Sequence, residues 1–282
     1  VTEAQIQAFL LEHGLPESFR LTLARICAPL AERAAELRRA RGRTVILGLC
    51  GAQGSGKSTI AQAVQRILET RGLSAATLSL DDFYLARAER DRLAREVHPL
   101  LVIRGPPGTH DVAKACATLD ALAKPGEVAL PAFDKAADEP RPRSAWRSVR
   151  APMDVVIFEG WCVGARPQPA ADLAAPVNPL EAGADVDGRW RRFVNDQLAG
   201  AYQDLFARLD DLALLRAPGF EVVLAWRAEQ ERKLIERTGR GMSPEKLALF
   251  VQHYERLTRW NLEEMPARAG LVIPLGADRA PL

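Results

Sequence analysis

Apolar residues change their spacing several times along the chain, and each change marks an element. Thr2 and Gln5 stand at capping-box spacing at the head of a helix over 2–13, with Gly14 where it would end. Beyond Pro16, the residues Phe19, Leu23, Cys27, Leu30, Ala34 and Leu37 recur at helical spacing, predicting a longer helix towards Arg41. Arg33, Arg38, Arg39 and Arg41 form its solvated outer face. From Thr44 to Cys50 the run is continuously apolar, as in a strand buried on both faces of a parallel sheet. A glycine-rich turn follows, then a helix through Ile60, Val64, Ile67 and Leu68 to Gly72. Ala75–Leu80, Val155–Phe158, Leu212–Leu215 and Leu271–Ile273 read as further strands, with helices at 111–124, 189–209 and 219–237. The segment 189–209 places Trp190, Phe193, Val194, Leu198, Tyr202, Leu205 and Phe206 on one stripe. Strands alternating with helices predict an α/β fold, a parallel sheet of about five strands with crossover helices on both faces. Arg104–Thr109 and the Pro-rich Arg166–Gly188 fit no element. A loop as long as the second is usually functional or mobile.

Composition narrows the class. The chain has 282 residues, 48% hydrophobic and 26% charged, which excludes a disordered or fibrous chain. Lys+Arg is 38 against Asp+Glu 36, too balanced for a nucleic-acid or membrane-surface partner. The four cysteines are scattered without a CxxC pair, as expected of buried thiols in a reducing compartment. No signal pattern or membrane-length apolar run is present, so the expected location is the cytoplasm.

One motif carries chemistry outright. Gly51-Ala52-Gln53-Gly54-Ser55-Gly56-Lys57-Ser58, followed by Thr59, matches GxxxxGK[ST] between a predicted strand and a predicted helix. The glycines let backbone N–H groups turn inward around phosphate oxygens, and the helix N-terminus adds its dipole. Lys57 would reach the outer phosphates of ATP, and the Ser58 hydroxyl would coordinate Mg²⁺. Val155–Phe158 runs into Glu159-Gly160, which sets a carboxylate at a strand's carboxyl end, where ligands of such sheets sit. Glu159 would hold Mg²⁺ through water. Asp154, at the strand's other end, reads as structural. No NKxD guanine-reading motif and no LSGGQ-like signature occur. Instead the second strand runs into Asp81-Asp82-Phe83-Tyr84, where a carboxylate faces the same crevice and can take the proton of an attacking hydroxyl.

At these residues the chain resembles the uridine kinase, phosphoribulokinase and pantothenate kinase superfamily. The phosphate loop, DDFY, FDKAADEPR (Phe133–Arg141), the FEG strand end and Gln252–Arg256 follow its order over about residues 44–276. Val97–Leu100, Arg104–Asp111 and Phe158–Cys162 are similar, more narrowly, to glycerate kinases of the plant and fungal type and their bacterial relatives. The resemblance implies a P-loop kinase domain over 43–282 behind an N-terminal helical extension, 1–42. It places acceptor-side segments at about 81–147 and a helical lid at about 227–243. It makes Asp81 the catalytic aspartate and sets Tyr84, Arg104, His110, Phe133, Asp134, Lys135 and Arg141 around the acceptor. Asp82 is expected to be a turn or capping carboxylate, and His13 and His253 structural. Of Arg227, Arg232, Arg237 and Arg240, one or two would meet the transferring phosphoryl group, Arg237 among the candidates. The implied activity is ATP- and Mg²⁺-dependent phosphorylation of a small hydroxylated acid, D-glycerate at its 3-hydroxyl. A kinase for a nucleoside or pantothenate and a non-catalytic nucleotide-binding regulator stay open as alternatives.

Overall fold

The computed structural model describes residues 2–239 and 241–282, the side chains of 234, 237 and 238 excepted. Helix α1 (Glu3–Glu12) opens on the expected reciprocal cap, Gln5 N–H to Thr2 Oγ1 at 3.3 Å and Thr2 N–H to Gln5 Oε1 at 2.7 Å. Helices α2 (Phe19–Thr22) and α3 (Ala28–Arg41) form one rod, widened into a π-turn at Leu23–Cys27. Pro29 accounts for the widening, because it has no N–H to give Arg25 and its ring crowds that carbonyl. The Ala28 N–H reaches back to Leu23 instead.

Strand β1 (Val45–Gly51) leads through the glycine-rich turn into α4 (Lys57–Thr70), followed by β2 (Ala75–Ser79), α5 (Arg87–Glu96) and α6 (Val112–Leu122). Two short antiparallel pairs come next. β3 (Gly126–Leu130) pairs with β6 (Arg147–Ala151), and between them β4 (Phe133–Asp134) pairs with β5 (Glu139–Pro140). Then follow β7 (Val155–Gly160), α7 (Pro179–Ala184), α8 (Arg189–Ala199), α9 (Ala201–Phe206), β8 (Asp211–Arg216), α10 (Glu221–Thr238), α11 (Pro244–Glu264) and β9 (Leu271–Pro274). All five predicted strands join one parallel sheet in the order β2-β7-β1-β8-β9. The predicted 189–209 helix is two helices, broken at Gly200.

Strand alternation decides which layer each side chain enters. Val45, Leu47, Leu49, Val155 and Ile157 point into a core shared with α3, α4 and Trp226 of α10. Ile46, Cys50, Leu78, Val156 and Phe158 point into a second core with α6, α9 and Tyr254 of α11. By the same parity Thr77, Ser79 and Glu159 belong to the α4 face. The register sets Glu159 beside Leu49 on one side and Ser79 on the other.

The 166–188 segment is fastened by two buried arginines. Arg256 of α11 meets Glu181 in a double hydrogen bond of 2.8 and 2.7 Å and donates to the Asp172 and Ala175 carbonyls. Arg191 of α8 bonds the Leu173 carbonyl at 2.7 Å and pairs with Asp185 at 3.0 Å. Glu181 and Asp185 are fully buried, so the loop's ordering rests on charge pairs that water does not screen. Arg256→Met strands the Glu181 carboxylate and should cost about 3–5 kcal/mol. Urea unfolding and limited proteolysis check this, with new cleavage expected within 168–188.

Candidate active site

The phosphate loop takes its shape from its glycines. Gly54 and Gly56 sit at φ +79° and +86°, the left-handed region that side-chain-bearing residues avoid. At Gly54 a side chain would also strike Trp226, whose β-carbon lies 2.6 Å from where a Cβ would stand. The turn ends at Gly56 and α4 begins at Lys57, so the helix's first N–H groups open onto the loop's hollow.

Glu159 faces this hollow from β7. It is 2% exposed, its Oε1 accepts the Ser58 hydroxyl at 2.8 Å, and its Oε2 has no partner among the described residues. A buried carboxylate with one oxygen unsatisfied, beside a hydroxyl at the head of the phosphate-loop helix, is a donor set that suits a hard cation. The residues fit Mg²⁺, with Ser58 and Glu159 as its protein side.

Asp81 stands where β2 turns into a short 3₁₀ segment. The Tyr84 hydroxyl donates to its Oδ1 at 2.8 Å and Lys135 Nζ to its Oδ2 at 2.5 Å. Burial pushes this carboxyl up, but the charges of Lys135 and Lys57 and the two hydrogen bonds outweigh burial and hold it below the ordinary range. Asp82 diverges from its neighbour. It accepts the Phe133 N–H at 3.1 Å, and burial, with the negative charges of Asp81 and Glu159, lifts it to about 6. The pair splits into a fixed carboxylate and a carboxyl that titrates near neutrality, and Asp82 ties β4 to β2.

From these groups a cleft of about 500 Å³ opens along the α4 face. Ser58, Gln62, Gln65 and Arg66 line it at the i, i+4, i+7 and i+8 positions of α4. Thr77 and Ser79 line it from β2, and Lys135 and Arg147 from the antiparallel pairs. Glu12 and His13, at the end of α1, close its outer rim, with Glu12 paired to Arg66 at 3.0 Å. Gln62, Gln65, Arg66 and Arg147 were not singled out in the sequence, although their helical spacing from Ser58 makes the α4 residues legible. His13, expected to be structural, sits at the rim.

The other expected acceptor residues are not among those lining this cleft. Arg104 is ion-paired with Asp138 and lies over the Phe133 ring, 5.8 Å from its centroid. Arg90, itself buried, pairs with the same Asp138 at 2.8 Å. Asp134 accepts the Ala136 and Ala137 N–H groups at 2.9 and 3.0 Å and pairs with Arg141 at 3.4 Å, a turn-closing arrangement. Tyr84 stacks on His110 at 4.4 Å and meets Phe133 edge-on at 5.3 Å, so the three rings back the Asp81 carboxylate. The Tyr202 hydroxyl accepts the Gly108 N–H at 3.0 Å and is hydrogen-bonded to His110 Nδ1 at 2.6 Å, while the buried His110 Nε2 has no partner among the described residues. Burial pushes the imidazole down to about 4, so it is neutral at physiological pH.

In the 227–243 segment, Arg227 bonds Gln230 at 2.6 Å and lies over Phe250, 5.9 Å from its centroid. Arg232 is exposed beside Glu236. The Arg237 side chain, and Arg240 as a whole, lie outside the described residues.

A parallel sheet with a phosphate loop after its central strand β1, and carboxylates at the ends of β7 and, one strand further out, β2, has the layout of a P-loop phosphotransferase. The comparisons make this particular. Residues 46–165 match the Phosphoribulokinase / Uridine kinase family. An uncharacterized kinase of Schizosaccharomyces pombe, mug58, is 38% identical over 222 residues, 76% of this chain and 79% of that protein. The chloroplastic D-glycerate 3-kinase of Arabidopsis thaliana is 32% identical over 222 residues, 74% of this chain but 46% of that protein. A solved D-glycerate 3-kinase from Cryptococcus neoformans shares the fold at TM-score 0.74 and 24% identity, over 91% of this chain and 97% of that one. The chain belongs to the phosphoribulokinase/uridine kinase family, and it is an ATP-dependent kinase. Among the described residues no helix is long and apolar enough to cross a membrane.

The raised Asp82 carboxyl has a stability consequence. The folded state holds this proton more tightly than the unfolded chain, so the Asp82 contribution to stability declines as pH rises from about 4 towards about 6. Asp82→Asn keeps the acceptor oxygen for Phe133 and carries no charge. It should unfold at a higher temperature than wild type at pH 7, and the gap should close below about pH 4. Thermal unfolding of both proteins across this range checks the sign.

Proposed function

We propose that this kinase transfers the terminal phosphoryl group of ATP to the 3-hydroxyl of D-glycerate or a closely similar small hydroxy acid. The observation that carries the reading is the lining of the 500 Å³ cleft. It starts at Asp81 and Ser58, it carries the cations Lys135, Arg66 and Arg147, and among the described residues its only ring is the His13 imidazole. A nucleoside needs a flat face for its base, and this lining supplies no phenyl, phenol or indole. A small acid needs a cation for its carboxylate and a fixed carboxylate for its hydroxyl, and the cleft supplies both. The D-glycerate 3-kinase of Arabidopsis, similar over most of this chain, points to the same substrate.

The roles follow from geometry and charge. The loop N–H groups from Gly51 to Thr59, with Lys57, would hold the ATP phosphates and stabilise charge on the group in transfer. Ser58 and Glu159 would hold Mg²⁺, which when bound draws charge from the phosphate oxygens. Asp81 would orient the acceptor hydroxyl and take its proton. Tyr84 fixes one Asp81 oxygen and Lys135 covers the other, so an arriving hydroxyl meets Oδ2 by displacing or sharing the Lys135 contact. The displaced ammonium would then be free to pair with the acceptor carboxylate. Arg237 and its neighbours would complete the charge around the transferring group when the lid closes and excludes water.

Two measurements check the reading. Asp81→Asn keeps the size and an acceptor for the Tyr84 hydroxyl but loses the acceptor for Lys135 and takes no proton, so turnover should fall roughly 10²–10⁴-fold while MgADP affinity holds within about twofold. Across D-glycerate, uridine, pantothenate and ribulose 5-phosphate, D-glycerate should show kcat/KM at least about tenfold above the others, a gap of ~1.4 kcal/mol. Turnover of uridine or pantothenate with none of glycerate overturns the substrate and leaves the kinase.

A further inference from the structure

The segment beyond β9 takes no part in the mechanism above, yet it reaches the phosphate loop. Leu275 bridges to Pro281, and the Gly276 N–H closes the intervening turn on the Ala280 carbonyl at 2.8 Å. The turn holds Arg279 at φ +69°, a conformation that a side-chain-bearing residue keeps only where its surroundings over-determine it. Three contacts do so. Arg279 Nε donates to the Gly54 carbonyl at 2.7 Å, Nη2 pairs with Glu229 at 2.7 Å, and the guanidinium lies over the Trp226 ring, 5.5 Å from its centroid. Trp226 Nε1 in turn donates to the Ala277 carbonyl at 2.6 Å.

Together these contacts immobilise one peptide group. The unit joining Gly54 to Ser55 has its carbonyl on Arg279 and its N–H on the Ala52 carbonyl, at 3.1 Å, so neither end can rotate without losing a bond. That peptide sits at the bend of the loop, two residues before α4 begins. A charged donor makes the stronger kind of hydrogen bond, and a loop already shaped avoids part of the ordering cost of binding. Trp226 and Glu229 also belong to α10, the helix that runs into the 227–243 segment. The same guanidinium therefore ties the phosphate loop to the base of the lid.

We propose that Arg279 is a positioning residue for nucleotide binding, a clamp from the C-terminal turn that presets the Gly54–Ser55 peptide and registers α10 against it. This rests on the reading of the loop as the nucleotide site. Arg279→Met keeps a stem over Trp226 but donates nothing, and Arg279→Lys restores a donor and the charge facing Glu229. Titration calorimetry with MgADP should show the dissociation constant raised about tenfold in the methionine variant and partly recovered in the lysine variant. KM for ATP should rise in the same ratio while the acceptor's KM holds, a split that general destabilisation does not produce. Should the methionine variant fail to fold, Arg279→Lys and Glu229→Gln, each of which loosens one arm, should give smaller rises of the same kind. Unchanged MgADP affinity in the folded variants overturns the clamp alone. Absence of MgADP binding by the wild type overturns the nucleotide-site reading and the clamp with it.

Discussion

A carboxylate buried in the middle of a sheet must be compensated, and the arrangement around Glu159 answers that requirement. Strand parity directs its side chain to the α4 face, and the register of β7 between β1 and β2 carries it to the level where the phosphate loop begins. There Ser58 satisfies one oxygen and the other faces the hollow. Lys57, Asp81 and the opening of the cleft are all placed relative to this point. A shift of one residue in β7 would turn Glu159 into the opposite core and replace it with an apolar neighbour.

The chain's abundant arginines are divided between architecture and chemistry. Arg191 and Arg256 hold the 166–188 segment, and Arg87, Arg90 and Arg104 converge on Asp138. Asp138 itself sits at φ +59°, held there by the groups it gathers. These contacts set the hairpin that presents Lys135 to Asp81. The cations that line the cleft, Lys135, Arg66 and Arg147, come from three different elements and meet only in the folded chain.

Features encoded within a few residues were legible in the sequence. The phosphate loop declares itself through glycine spacing, and each strand through its apolar run. The carboxylates Asp81 and Glu159 follow because parallel sheets present strand ends on one side. What depended on distant partners was not legible. Arg104 and Asp134 carry the residue types of an acceptor site, yet Asp138 and a local turn engage them. Gly200 breaks a stripe that periodicity alone reads as one helix, and Pro29 widens α3's start into a π-turn. The β4–β5 pair is too short to register as strands, and β3 and β6 are interrupted by charged residues. Arg279 had no local signal at all, since its importance rests on Gly54, 225 residues away in sequence.

The proposed activity requires the groups gathered at Asp81 and Ser58 to pass a phosphoryl group to a small acid and not to water. Phosphorus-31 NMR of the wild-type protein with MgATP and D-glycerate, followed to completion, distinguishes the two fates. A new phosphomonoester signal coupled to the two protons of a CH₂ group is expected, growing in step with ADP, with little inorganic phosphate. ATP converted to ADP and inorganic phosphate alone, or a phosphoester coupled to a single CH proton, would contradict it.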